Sequence, residues 1–250
     1  MSYGDFAYIY DELMSHVPYD QWVKLVKDKQ EKYSINEGNQ LLDLACGTGE
    51  LSIRFANEGF AVTGIDLSED MLAVAHSKAM EHQQSIQFLQ QDMSELEGLD
   101  QFDIIGIFCD SLNYLQTEEQ VTQTFKSVFN YLKDGGLFIF DVHSVFKVMQ
   151  VFMNQTFALN DEEISYIWHS YQGEHPNSVE HDLTFFVFDE ETGSYNRYDE
   201  LHFQRTFPIQ VYEAWLKEIG FELLDITADF ENTPPQTQSE RIFFTLRKRA

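Results

Sequence analysis

The chain has 250 residues, 42 of them acidic and 16 basic, for a formal net charge of −26 at pH 7. That excess repels a phosphate backbone and argues against a nucleic-acid substrate. No apolar run approaches ~18 residues, so no segment is expected to span a membrane. An ordinary apolar fraction of 43% fits one large domain, or a domain carrying a sizeable insertion.

The opening MSYGDFAYIYDEL has neither a basic n-region nor an apolar core, so it does not read as a signal peptide. Residues 19–33 repeat at helical period, with Trp22, Val23, Leu25 and Val26 as the buried set. LLDLA then reads as a buried strand, GELSIRFANEGF as a helix and FAVTGIDL as a second strand. Ser68 is placed to cap the next helix, with Glu69 and Asp70 in its first turn, where a helix N-terminus favours negative charge. IQFLQQD is a third strand. FDIIGIFCD is a fourth, apolar enough to be buried on both faces. Thr117 and Gln120 form a capping box for a helix reaching Leu132, and GGLFIFDV is a fifth strand.

Strands alternating with helices predict a parallel, doubly wound α/β sheet. In such sheets ligands bind beyond the carboxyl ends of the strands. Asp43, Asp66, Asp92, Asp110 and Asp141 all fall on that edge. After Val142 the texture changes. Segments 164–172, 179–188 and 195–206 alternate aromatic and polar residues between turn-forming HPN and DEETGS. They predict a three-stranded antiparallel meander inserted into the sheet. A helix at Val211–Ile219 and two closing strands, FELLDITADF and RIFFTLRK, complete the chain. The domain reading is a core of 1–142 and 207–250, with an N-terminal helix over about 1–16, and a substrate-side insertion of 143–206. Cys46 and Cys109 suggest no disulfide scaffold, and a reducing, cytoplasmic home is expected.

The loop CGTGE has two glycines one residue apart. It lacks the Gly-Lys-Ser/Thr of a phosphate loop, and Ser52 stands where a dinucleotide fingerprint wants its third glycine. Charge is more informative. Asp43 precedes the glycines, and no Lys or Arg lies between it and Arg54. A pyrophosphate there would meet an uncompensated carboxylate, whereas an ammonium or sulfonium would be attracted. Asp66, 17 positions after Gly49, has the spacing of a ribose-binding carboxylate. Asp92 would accept from an adenine amine. An adenosine joined to a cationic amino acid meets all three conditions, and S-adenosylmethionine is such a molecule.

The run LLDLACGTGELSIRFANEGFAVTGIDLSEDMLAVA, continued by QQDM, FCDSLNYL and LKDGGLFIFDV, resembles the class I S-adenosylmethionine-dependent methyltransferases. Similarity is strong over about residues 36–142, and the chain is most similar to the bacterial YqeM-type small-molecule branch. The resemblance implies a Rossmann-like, seven-stranded, mostly parallel sheet. It implies that Asp43, Gly47, Thr48 and Gly49 line the methionine end of the cofactor. Asp66 would hold the ribose, with Leu67 and Met71 against the adenine. Asp92 and the backbone of Met93 would read the adenine edge. Cys109 and Asp110 would flank the transferring methyl. Tyr3 and Tyr10 would close over the cofactor, and S-adenosylhomocysteine would be the product.

Methyl transfer from a sulfonium is an in-line displacement in which positioning carries much of the rate. An oxygen nucleophile also needs a base. His143, Tyr114 and Asn113 lie where a catalytic group is required, and Asp141 is close by. His169, His181 and His202 show no local metal-ligand spacing, so structural or surface roles are expected and no metal is assigned. Tyr166, Trp168, Phe186, Tyr198 and Phe203 would wall an acceptor pocket, or one face of the meander would form a homodimer interface. A small-molecule acceptor is the leading expectation. A protein or RNA acceptor, or a cofactor-binding protein without transfer, are the alternatives.

Overall fold

Apolar residues on both sides of a strand demand cover on both faces of a sheet. The central strands show that demand met. The computed structural model describes Asp11, Met14, residues 17–33 and residues 38–249. Helix α1 (Tyr19–Lys32) leads into β1 (Gln40–Leu44), α2 (Glu50–Asn57), β2 (Ala61–Asp66), α3 (Glu69–Glu81), β3 (Gln87–Gln90) and β4 (Phe102–Ile107). A 3-10 turn (Ser111–Tyr114), α4 (Glu118–Tyr131) and β5 (Leu132–His143) follow. Both expected caps form: Ser68 accepts from the Met71 N–H, and Thr117 with Gln120 makes a full capping box.

The main sheet has seven strands in the order β10-β11-β5-β4-β1-β2-β3, with β10 (Phe221–Ala228) and β11 (Arg241–Lys248) supplied by the chain's later part. Strand β11 runs antiparallel to both neighbours. The other pairings are parallel. Side chains sort by alternation. Leu41, Ile104, Ile139 and Phe243 pack with Trp22 and Phe55 of α1 and α2. Leu42, Ile105, Phe140 and Phe244 pack with Phe125 of α4 and Tyr212 of α5 (Ile209–Ile219). Strand order reverses between β1 and β4, which opens a crevice at their carboxyl ends.

Between β5 and α5 lies a second sheet. A π-helix (Lys147–Phe152) leads into β6 (Gln155–Leu159), β7 (Ile164–Gln172), β8 (Ser178–Asp189) and β9 (Ser194–Arg205). They pair antiparallel in sequence order. The expected three-stranded meander therefore has a fourth strand, β6. Its five residues are mostly exposed at the sheet edge, so QTFAL lacks the apolar alternation that marked the other three. The inner face carries Trp168, Leu183, His181, His202 and Phe185 in cross-strand register. It stands over the crevice, tied down by Thr206 Oγ1 donating to the His143 carbonyl at 2.6 Å.

Candidate active site

The glycine loop shows two different uses of glycine. Gly47 has φ +55°, and a Cβ there would meet no protein atom within 4 Å. Its backbone is laid open to the crevice. Gly49 has φ +76°, and a Cβ would press on Ala75 at 3.0 Å and Phe88 at 3.1 Å. That glycine lets α2 sit close to α3 and β3. Asp66 braces the loop: its carboxylate accepts from Gly47 N at 2.8 Å and from Ser68 N at 2.9 Å. Thr48, almost fully buried, donates to Asp11 at 2.5 Å, and Asp11 pairs with Lys78 at 2.7 Å.

Asp43 is buried beneath the loop and accepts from Ser52 Oγ at 2.6 Å. Among the described residues no Lys or Arg pairs with it. Burial pushes its carboxyl up to about 7, against the Ser52 bond and with a further push from Asp66. A buried carboxyl without a cation fits a ligand that brings one, as the sequence reading required.

A cavity of about 430 Å³ runs from this loop to the inserted sheet. Asp43, Gly47, Thr48, Cys109 and Asp110 line one end. Tyr166, Trp168, Leu183 and Phe185 line the other, with Tyr114, His143, Phe152, His181, His202 and Gln204 between them. Tyr166 and Trp168 thus stand where expected. Phe186 and Phe203 do not. They alternate with the inward residues of β8 and β9 and face away, Phe203 being 42% exposed. Tyr198 shares the inner face, paired opposite Phe185, but is not part of the cavity wall. His181, expected to be structural or on the surface, is buried and lines the cavity; His202 lines it too.

The crevice floor is held by Asp141. Fully buried, it accepts from Trp22 Nε1 at 2.7 Å and from the N–H groups of Cys109 at 3.0 Å and Asp110 at 2.9 Å, and pairs with Arg241. Those bonds hold Cys109 and Asp110 at φ +54° and +55°, a costly conformation for residues with a Cβ. The strain turns Asp110 back into the cavity. Cys109 acts there through its backbone; burial pushes its thiol well above the usual range.

Asp110 is the hub. Its carboxylate meets Arg241 Nη2 at 2.8 Å, His143 Nε2 at 3.1 Å and Gln204 Nε2 at 3.0 Å. Burial opposes its charge, but His143 and Arg241 hold the carboxyl well below its ordinary range. Burial also lowers the His143 pKa, with Asp110 acting the other way. His143 is 4% exposed, and its Nδ1 is buried with no hydrogen-bond partner among the described residues. Asn113 is equally buried, yet both ends of its amide are taken: Oδ1 accepts from His143 N at 2.9 Å, and Nδ2 donates to the Arg205 carbonyl at 2.7 Å. Tyr114 lines the cavity with its ring edge-on to His202 at 5.8 Å.

The remaining cofactor candidates lie along the ends of β2 and β3, outside the cavity wall. Leu67 is 66% exposed. Met71 opens α3, and Met93 packs on the core. Asp92 accepts from Ser94 N at 2.8 Å and Ser94 Oγ at 2.7 Å, closing a turn. Tyr3 and Tyr10 lie outside the described residues. Sequence reasoning missed Arg241 and Gln204. For Gln204 the signal was present, since period-two alternation puts it on the same face as His202. For Arg241 no local signal exists, because its place depends on β11 pairing with β5. The described residues contain no cluster of His, Cys, Asp and Glu that would hold a metal.

A family model described as a methyltransferase domain matches residues 41–136. YqeM of Bacillus subtilis (strain 168), a provisionally named methyltransferase, is 55% identical over 249 residues, covering 99% of this chain and 98% of that protein. A similarly named protein of Geobacillus sp. (strain WCH70) is 52% identical, covering 99% and 100%. The crystal structure of an S-adenosylmethionine-dependent methyltransferase from Clostridium acetobutylicum ATCC 824 matches with a TM-score of 0.90, at 32% identity, over 99% of both chains.

Proposed function

Because the chain belongs to the S-adenosylmethionine-dependent methyltransferases, we propose that its acceptor is a small molecule seated between the glycine loop and the inserted sheet. One observation carries this reading: the aromatic inner face of β7 and β8 and the buried carboxyl of Asp43 border the same cavity of about 430 Å³. That volume suits a compact ligand. The acidic surface disfavours RNA.

S-adenosylmethionine, when bound, supplies an electrophilic methyl on a sulfonium. Asp43 and the backbone of Gly47, Thr48 and Gly49 hold its cationic methionine end. Asp66 accepts from the ribose with the lone pairs that Gly47 and Ser68 leave over. Leu67 and Met71 cover the adenine, and Asp92 and the Met93 backbone read its edge. Cys109 and Asp110 border the methyl.

His143 takes the acceptor's proton. Its Nε2 faces Asp110 at 3.1 Å, and Nδ1, buried and without a hydrogen-bond partner among the described residues, is the nitrogen left to take a proton. Asp110 orients the ring as the carboxylate of an Asp–His pair does. Tyr114 helps seat the acceptor, and Asn113 positions the His143 backbone. The core, 1–142 and 207–250, binds the cofactor, and 143–206 selects the acceptor. Among the described residues no helix is long and apolar enough to cross a membrane, and a cytoplasmic location fits two free cysteines. A homodimer through the outer face of the inserted sheet is a second reading, favoured by Ile167, Tyr171, Leu201 and Phe203, each at least 41% exposed there.

The first test is calorimetry with S-adenosylmethionine and S-adenosylhomocysteine, with NADH as control, followed by an acceptor screen with labelled methyl donor. Micromolar binding of the adenosyl ligands and methylation of a small acceptor are expected. Transfer only to protein or RNA would overturn the acceptor class.

A further inference from the structure

A line of side chains runs from the inserted sheet to the crevice. Trp168 Nε1 lies 3.0 Å from His181 Nδ1. His181 Nε2 lies 3.3 Å from Gln204 Oε1, and Gln204 Nε2 lies 3.0 Å from Asp110 Oδ2. Asp110 Oδ2 in turn lies 3.1 Å from His143 Nε2. His181 and Gln204 are both at least 95% buried, so water does not replace a missing link cheaply.

The two ends of this line leave no choice of direction. An indole N–H only donates, and an ionised carboxylate only accepts. Trp168 therefore requires a lone pair on His181 Nδ1, which places the His181 proton on Nε2. That proton goes to Gln204, so the oxygen of the Gln204 amide must face His181. The amide's N–H then faces Asp110. A flipped amide would set oxygen against carboxylate and N–H against N–H. Every bond in the series points toward Asp110. The same oxygen of Asp110, Oδ2, faces His143 Nε2, which places the His143 proton on Nε2 and leaves Nδ1 with the lone pair.

We propose that Gln204 and His181 are positioning residues that fix the carboxylate of Asp110 and, through it, the tautomer of His143. The inserted sheet does more than wall the cavity. It orients the base from the acceptor side, starting at an indole that is itself part of the acceptor wall. Phe152 seals the line: its ring lies 5.2 Å from that of His143, 5.1 Å from that of His181 and 5.4 Å from that of Trp168. Burial holds His181 down to about 4, so its ring is neutral at pH 7.5.

This inference rests on the reading of His143 as proton acceptor, but its test is separate. Long-range proton–nitrogen NMR on protein labelled with nitrogen-15 histidine reports each ring's tautomer without any acceptor present. In the wild-type chain at pH 7.5, His143 and His181 are both expected in the Nε2–H form. Gln204→Leu should give His143 a detectable share of the Nδ1–H form, since the tautomer is set by the hydrogen bond its ring makes and Asp110 is no longer held toward Nε2. Trp168→Phe keeps the ring but removes the donor. It should release His181 from its single tautomer and disturb His143 less. Should Gln204→Leu fail to fold, Trp168→Phe still decides the case. An Nδ1–H form of either histidine in the wild type would overturn the proposal. So would unchanged His143 signals in a folded Gln204→Leu variant, or unchanged His181 signals in Trp168→Phe. If the tautomers are as expected but His143→Asn keeps full turnover with an acceptor from the screen, the base assignment fails and the positioning series stands.

Discussion

The two sheets meet at one cavity but solve different problems. The seven-stranded sheet is buried on both faces, and its loops present fixed groups: glycine backbone, Asp43, Asp66 and the Asp141 brace. The inserted sheet is buried on one face only, and that face is a mixture of aromatic rings and histidines. A cofactor is the same in every turnover, so rigid backbone geometry serves it. An acceptor differs among relatives, and side chains on an added sheet are the easier part to vary. The Asp110–His143 pair lies where the halves join, held by Arg241 from the first and Gln204 from the second.

Substitutions should separate the halves. The largest effect is expected at the join. His143→Phe should lower kcat by about 10²- to 10⁴-fold, the usual worth of a general base, with unchanged affinity for S-adenosylhomocysteine by calorimetry. Loss of both would place His143 in the cofactor half. Next is Asp66→Ala, which removes charge-assisted bonds worth about 1.5–3 kcal/mol each. Weaker cofactor binding should appear with little change in the acceptor KM. An unaltered Kd would remove Asp66 from the site.

Asp43 gives the comparison a pH axis. Its folded pKa of about 7 lies above the ordinary carboxylate value of 3.8. The folded protein therefore holds this proton more tightly than the unfolded chain. The associated stability is fully present below about 4 and is lost as pH rises through about 7. A cationic ligand favours the ionised form, so cofactor affinity should grow as pH rises through the same window. Asp43→Asn should flatten both trends, raising the melting temperature of the free protein at pH 8 while weakening S-adenosylmethionine there. An Asn variant that keeps the wild-type pH dependence of binding would assign the proton to another group. The smallest effect belongs to the outer face. Leu201→Ser is expected to change folding stability by no more than about 0.5 kcal/mol and to leave cofactor affinity alone. Sedimentation should show any dimer weakened, and an unmoved dimer would locate the interface elsewhere.

What could be read in the sequence follows the same division. The parallel sheet was legible because each strand is a continuous apolar run, and each cap sits within three residues of what it caps. Asp43 and Asp66 stood out because each ends or nearly ends a strand beside the glycine loop, at a spacing that a fixed ligand would impose. The inserted sheet was legible as alternation, but not in phase. Phe186 and Phe203 are as aromatic as Phe185, and only the register of β8 and β9 says which ring turns inward. Strand β6 was lost because an exposed edge needs no apolar pattern. Arg241 lies 100 residues from Asp141, and no local rule links an arginine opening a late strand to a carboxylate in the middle of the sheet.

That last pairing bears on the order in which the molecule is made. Strand β11 is the final strand of the sheet in chain order, yet it lies next to β5 and delivers Arg241 to Asp141 and Asp110. Without β11 the crevice would hold two buried carboxylates with no arginine between them. Glycine loop, crevice and inserted sheet all precede β11 in the chain, but without it the Asp110–His143 pair keeps only its Gln204 contact and lacks Arg241. The floor of the crevice is therefore complete only once β11 has threaded between β5 and β10.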